Sequence, residues 1–173
     1  MKVKLKDVCE RASSALMQKD VKFGEGDFPI YGAAGYIGNI NFYHQEHPYV
    51  AVVKDGAGIG RTMLLPAKSS VIGTLQYLLP KADVLPEYLN YAVQYMHLEK
   101  YYTGATIPHI YFRNYQNEEF NMGTLEEQSR IVNILNNVTQ IIDARKRQLL
   151  ELDHIVKSRF IEMFGDMAFN PLN

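Results

Sequence analysis

Between Val52 and Thr62 the chain reads Val-Val-Lys-Asp-Gly-Ala-Gly-Ile-Gly-Arg-Thr, the stretch whose residue types come nearest to chemistry. Glycine loops carrying a basic residue cradle phosphates, because backbone N–H groups approach closely where no Cβ stands. A nucleotide phosphate loop needs four residues between its glycines and a Lys before Ser or Thr. Here Gly56 and Gly60 have three between them, and Arg61 precedes Thr62. A dinucleotide or methyl-donor loop leads into a helix whose N-terminus meets the ligand, whereas this one leads into Thr62-Met63-Leu64-Leu65-Pro66, which reads as a strand. A cofactor site is therefore the weakest reading. A loop that brings Lys54 and Arg61 to a phosphate backbone and a purely structural hairpin both remain open.

The other candidates are His109 beside Pro108, the pair His44 and His47, and Cys9. A metal centre wants further Cys or His at ligand spacing, and the expectation is no metal. Cys9 has no identifiable base, the carboxylates are scattered, and no Ser/His/Asp set can be assembled. We expect no catalytic residue and no cofactor. A binding module remains. If the ligand is duplex DNA, its readers should be polar and basic side chains on loops, which reach base edges and phosphates. The glycine-tyrosine segment offers Tyr36, Asn39 and Asn41; the two later loops offer Lys54, Arg61, Thr106, His109, Tyr111 and Arg113.

The elements that must position them follow from the pattern. Val3–Val8 opens with alternation and leads into a short helical or irregular segment. Phe28 to Gly38 suits short strands joined by tight turns. Tyr49–Val53 is a buried strand, and Thr62–Leu65 and Val71–Leu79 look like further strands, the last stopped by Pro80. Pro86 opens a helix whose apolar positions, through Leu98, fit a period of 3.6. The expected fold class is α+β, a strand-rich head with one clear helix.

After Gly123 the pattern changes. Thr124 and Glu127 form a capping box, and Ile131, Leu135, Val138, Ile142, Arg145, Leu149, Leu152, Val156, Phe160 and Met163 then recur at steps of four and three, the spacing of a coiled-coil seam. Arg145 interrupts it, and polar interruptions fix register. Over 126–164 this is a helix of roughly 58 Å at about 1.5 Å per residue. Such a helix projects to a partner or folds back on the head; the head offers no second helix of comparable length, which favours a partner. The predicted division is 1–122 for the head, 123–166 for the helix and 167–173 for a tail.

Bulk properties bound the class. One Cys in 173 residues cannot form an internal disulfide, no segment has signal-peptide or membrane-span character, and a cytoplasmic location is expected. Residues 1–115 hold 12 Lys+Arg against 10 Asp+Glu, a net +2, and 116–173 hold 6 against 9, a net −3. Free-standing nucleic-acid binders tend to be more basic, so phosphate affinity should be weak and easily lost to salt.

Three segments carry a family resemblance: Leu125-Glu126-Glu127-Gln128-Ser129-Arg130-Ile131-Val132, Leu149-Leu150-Glu151-Leu152-Asp153, and Lys157 to Asp166. They resemble the helical region found between and after the target-recognition domains of type I restriction–modification specificity subunits. Tyr31–Gly38, the Val53–Gly60 loop and Gly104–His109 resemble framework segments of such a domain. The resemblance implies a recognition domain that reads one half of a split double-stranded DNA target. It implies a long helix that pairs antiparallel with a partner helix and docks modification subunits, which methylate adenine on N6 with S-adenosylmethionine. A restriction and motor subunit joins them. The Asn-Pro-Pro-aromatic motif of adenine methylation is not present, Asn170-Pro171-Leu172-Asn173 being different. A full family member has two recognition domains and this chain matches one, so it is either a natural half-subunit that dimerises or a truncated gene product. As a homodimer, two-fold pairing through the seam would rebuild the usual arrangement and imply a palindromic split target. The alternatives are a small S-adenosylmethionine-dependent methyltransferase using the Asp55–Gly60 loop, and a coiled-coil adaptor that binds protein rather than DNA.

Overall fold

The structure, a computed structural model, describes residues 1–21, 26–104 and 107–165. Its centre is Tyr49–Val53 (β5), five residues that are all buried. A strand alternates its side chains between two faces, so an unbroken apolar run requires cover on both. Val50 and Val52 enter one core and Tyr49, Ala51 and Val53 the other.

Around β5 an antiparallel sheet forms in the order β2-β8-β5-β6 from Cys9–Ser13 (β2), Leu75–Pro80 (β8) and Thr62–Leu65 (β6). On one face the first core holds Leu5 and Val8 from Leu5–Val8 (α1), Leu89 and Val93 from Pro86–Tyr95 (α2), and Tyr115 from Phe112–Tyr115 (α3). On the other face the second core holds Ile30, Ile40 and Val71. These come from a smaller sheet, β4-β3-β7, built from Gly35–Ile40 (β4), Phe28–Gly32 (β3) and Ser70–Val71 (β7). A two-stranded ladder pairs Lys2–Lys4 (β1) with Glu119–Asn121 (β9).

Two predicted elements differ. The run Val71–Leu79 is two strands in different sheets, β7 beside β3 and β8 beside β5 and β2. The break falls at Gly73, whose N–H donates to Leu16 O at 2.7 Å and where a Cβ would stand 3.2 Å from Ser14 O. Pro80 does not precede the strand's end; it is the last residue of β8, opposite Cys9. The second helix stops at Tyr95 rather than Leu98, because His97 adopts a left-handed φ of 51° before a 3-10 turn at Leu98–Tyr101. The short α3 and β9 were not anticipated.

The last element, Leu125–Phe164 (α4), runs 40 residues. Its capping box is formed: Thr124 N donates to Glu127 Oε2 at 2.8 Å, and Glu127 N to Thr124 Oγ1 at 3.3 Å. Gln128 and Val132 are its buried residues. The chain divides into two compact units, Met1–Val132 and Asn133–Asn173, so the first two turns of α4 belong to the same unit as the strands. The predicted tail at 167–173 lies outside the described residues. No helix among the described residues is long and apolar enough to cross a membrane.

Candidate nucleic-acid interface and helical seam

The β5–β6 connection, 54–61, is the glycine loop. Gly56, Gly58 and Gly60 sit at φ of 83°, 84° and 83°, a left-handed conformation that only glycine takes without strain. At Gly60 a Cβ would also stand 2.6 Å from Glu99 N. Gly60 N donates to Val53 O and Val53 N to Arg61 O, each at 2.9 Å, which closes the hairpin. It leads into β6, as expected, and not into a helix.

The second loop, 103–111, is pinched at its base by a reciprocal pair, Thr103 N to His109 O and His109 N to Thr103 O, both 2.8 Å. Two further bonds stitch it to the glycine loop, Gly56 N to Pro108 O at 3.0 Å and Ile110 N to Lys54 O at 2.9 Å. Across that seam His109 Nδ1 lies 2.5 Å from Asp55 Oδ1, and Lys54 Nζ lies 3.9 Å from Asp55 Oδ2. His109 stacks on Tyr111 at 21° with centroids 6.3 Å apart, and the Arg113 guanidinium lies 5.0 Å from the Tyr111 ring centroid. Thus Lys54, distant in sequence, is brought by way of Asp55 to His109, Tyr111 and Arg113, and the four side chains form one basic and aromatic cluster.

Arg61 has a different setting. It donates through Nη2 to Ala33 O at 3.1 Å and through Nε to Gly58 O at 3.3 Å, tying the glycine loop to the β3–β4 turn. Tyr36, on that hairpin and largely exposed, donates its hydroxyl to Asn39 Oδ1 at 3.1 Å. Asn41 is exposed beyond β4, and no described contact joins it to the cluster. Thr106 lies outside the described residues. Asp55 was not singled out from the sequence, although an acid between Lys54 and a loop glycine is the available signal.

Beside the glycine loop, Ile59, Gly60, Arg61, Thr62, Gln94 and Glu99 line a cleft of about 430 Å³. Among the described residues no group of three or more His, Cys, Asp or Glu could hold a metal ion. Cys9 donates to Leu5 O at 3.2 Å, and burial pushes its thiol up to about 12, which leaves it protonated and unreactive.

On α4, Ile131, Val138, Ile142, Leu149, Leu152, Val156 and Phe160 are exposed and Leu135 half-buried. Ile134, Ile141 and Ile155, a row at heptad positions in which Gln148 takes the place between the last two, are 56%, 61% and 61% exposed and lie beside the predicted row. Arg145 donates to Gln148 Oε1 at 2.8 Å along the same helix.

The family of type I restriction modification DNA specificity domains matches residues 1–154. The chain belongs to this family. Among solved structures it is similar to the type I restriction–modification S subunit from M. genitalium, with 17% identity and a TM-score of 0.67 over 91% of this chain and 42% of that one. It is similar to a chain from a structural study of complex assembly and conformational transition in the type I R-M system, at 21% identity and a TM-score of 0.74, covering 91% and 43%. The HsdS subunit from Thermoanaerobacter tengcongensis matches at 21% identity and 0.65, covering 86% and 39%. The chain therefore spans about two fifths of the length of these structures, whose strand-rich, α+β architecture with a long helix it shares. No curated protein matches it significantly in sequence.

Proposed function

We propose that the chain is a non-catalytic, sequence-specific DNA-recognition subunit that binds one half of a split target and acts in the cytoplasm. Residues 1–122 are the recognition domain and 123–166 the helical spacer, with 167–173 a tail. The observation that carries this reading is the union of the glycine loop and the 103–111 loop into one basic and aromatic cluster, on a chain whose family is one of DNA specificity domains. Loops on a rigid sheet are where recognition residues concentrate.

The exposed seam of α4 fits a homodimer through antiparallel helix pairing, with modification subunits docked on the paired helices and a restriction and motor subunit added to them. A stripe at four-and-three spacing suffices for one partner helix. The additional row Ile134, Ile141 and Ile155 widens the face beyond what a single partner covers, which is the pattern of a bundle helix with two neighbours.

The test is selection of duplexes from a randomised pool by the full chain, alone and with a modification subunit. Enrichment of a defined motif, tighter with the modification subunit, is expected. Enrichment of no motif in either setting sinks the reading and leaves the protein-binding adaptor.

A further inference from the structure

Asp55 is an anion placed in a cluster that the proposed function turns toward a polyanion. Its removal should strengthen contact with phosphate on charge alone, since each neutralised phosphate contributes to affinity. Its geometry points to another role. A carboxylate only accepts, so the 2.5 Å approach of Asp55 Oδ1 requires the proton of His109 to sit on Nδ1. The ring rotation and tautomer of His109 are then fixed, and among the described residues the ring's hydrogen bond is the one through Nδ1. The backbone on both sides is fixed too, by Gly56 N to Pro108 O and Ile110 N to Lys54 O. The side chains of His109 and Asp55 are 37% and 31% exposed, so the pair adds little to stability. It does set direction, and through the stacked Tyr111 that direction extends to Arg113.

We propose that Asp55 is a positioning residue for DNA recognition: it holds His109 at the junction of the two loops so that Nε2 and the adjoining Tyr111–Arg113 stack meet DNA in one orientation. This rests on the DNA-recognition reading above and adds a residue and a sign to it. Asp55 contributes selectivity without touching DNA, against the direction of its own charge.

The experiment measures binding of the full chain to a duplex it selects from a randomised pool and to the same duplex scrambled, at about 50 mM salt where weak phosphate binding persists. Asp55→Asn should lower the ratio of selected to scrambled affinity about fivefold or more, the size of one lost directed contact, while scrambled binding stays level or tightens. His109→Ala should lower the ratio similarly, and the double variant no further, because the two act as one unit. An unchanged ratio in Asp55→Asn, or additive losses in the double variant, overturns the inference while the DNA reading stands. A wild type that selects no motif overturns both. Should Asp55→Asn fail to fold by circular dichroism, His109→Ala, which leaves every backbone bond of the loops in place, decides: its ratio falls or the inference does.

Discussion

Gln128 is fully buried, and three of the four hydrogen bonds its amide can make are formed. Its Oε1 accepts from Leu85 N at 2.9 Å, and its Nε2 donates to Asp83 O at 2.9 Å and Gly123 O at 3.0 Å. One side chain thus joins the start of α2 to the start of α4. Leu would fill a similar volume but leave three partly buried backbone groups without this partner, each costing about 1 kcal/mol, the low end of the range for an unmade bond. Gln128→Leu should therefore lose about 3 kcal/mol of unfolding free energy by urea denaturation, and Gln128→Glu should also lose stability, since a carboxylate cannot donate to two carbonyls. A loss under 1 kcal/mol in both would show that the amide network is dispensable.

Glu118 is a second decisive residue. It accepts from Lys100 Nζ at 2.6 Å and from the Tyr101 hydroxyl, and Lys100 first, then Tyr101, holds its carboxyl below the usual glutamate value of 4.5. A carboxyl whose folded value is depressed contributes stability that is present above its unfolded value and lost as pH falls through the folded one. Melting temperature should therefore drop as pH is lowered from about 5 into the acid range, and Glu118→Gln should flatten part of that drop. Identical pH profiles would remove this ion pair from the account.

Among the elements, α4 was the most legible. Thr124 and Glu127 stand at the spacing of a capping box, and the side chains bond as that spacing requires. Thr124→Ala should cost about 1 kcal/mol, measured by thermal unfolding, whereas Thr124→Ser should cost little. Strand β5 was legible for the same local reason, five apolar residues bounded by Pro48 and a glycine loop. The break between β7 and β8 was hidden because Gly73-Thr74 is a weak turn signal inside a mostly apolar run, and the contact that splits it, Gly73 N to Leu16 O, joins distant parts of the chain. Periodicity reports the local period and not which sheet a strand joins. The site divides similarly. Residue type and loop position marked Lys54, His109, Tyr111 and Arg113, the last three at alternate positions, but Lys54 joins them only through cross-loop hydrogen bonds that no spacing announces. Arg61 shows the converse: its type suggests a phosphate contact, while its guanidinium is engaged by Ala33 O and Gly58 O.

At the scale of the whole molecule the exposed apolar seam of α4 sets how the chain associates. Charge offers little force for DNA binding by one copy, since the chain carries −1 in total; doubling the recognition surface is the physical route to useful affinity. Leu149 and Leu152 are 63% and 56% exposed in the single chain, and both belong to the second compact unit, apart from the two cores. Leu149→Asp/Leu152→Asp should therefore leave the fold of the first unit intact while placing two charges inside any paired seam, where an unpaired buried charge is costly. Light scattering of the wild type should give about twice the 19.8 kDa of one chain, and the double variant should give one chain with unchanged near-ultraviolet circular dichroism. That outcome would locate the self-association on the seam, and two-fold symmetry would then make the split target palindromic. A wild type that is itself monomeric would assign the seam to another protein's helices, and the palindrome would no longer follow.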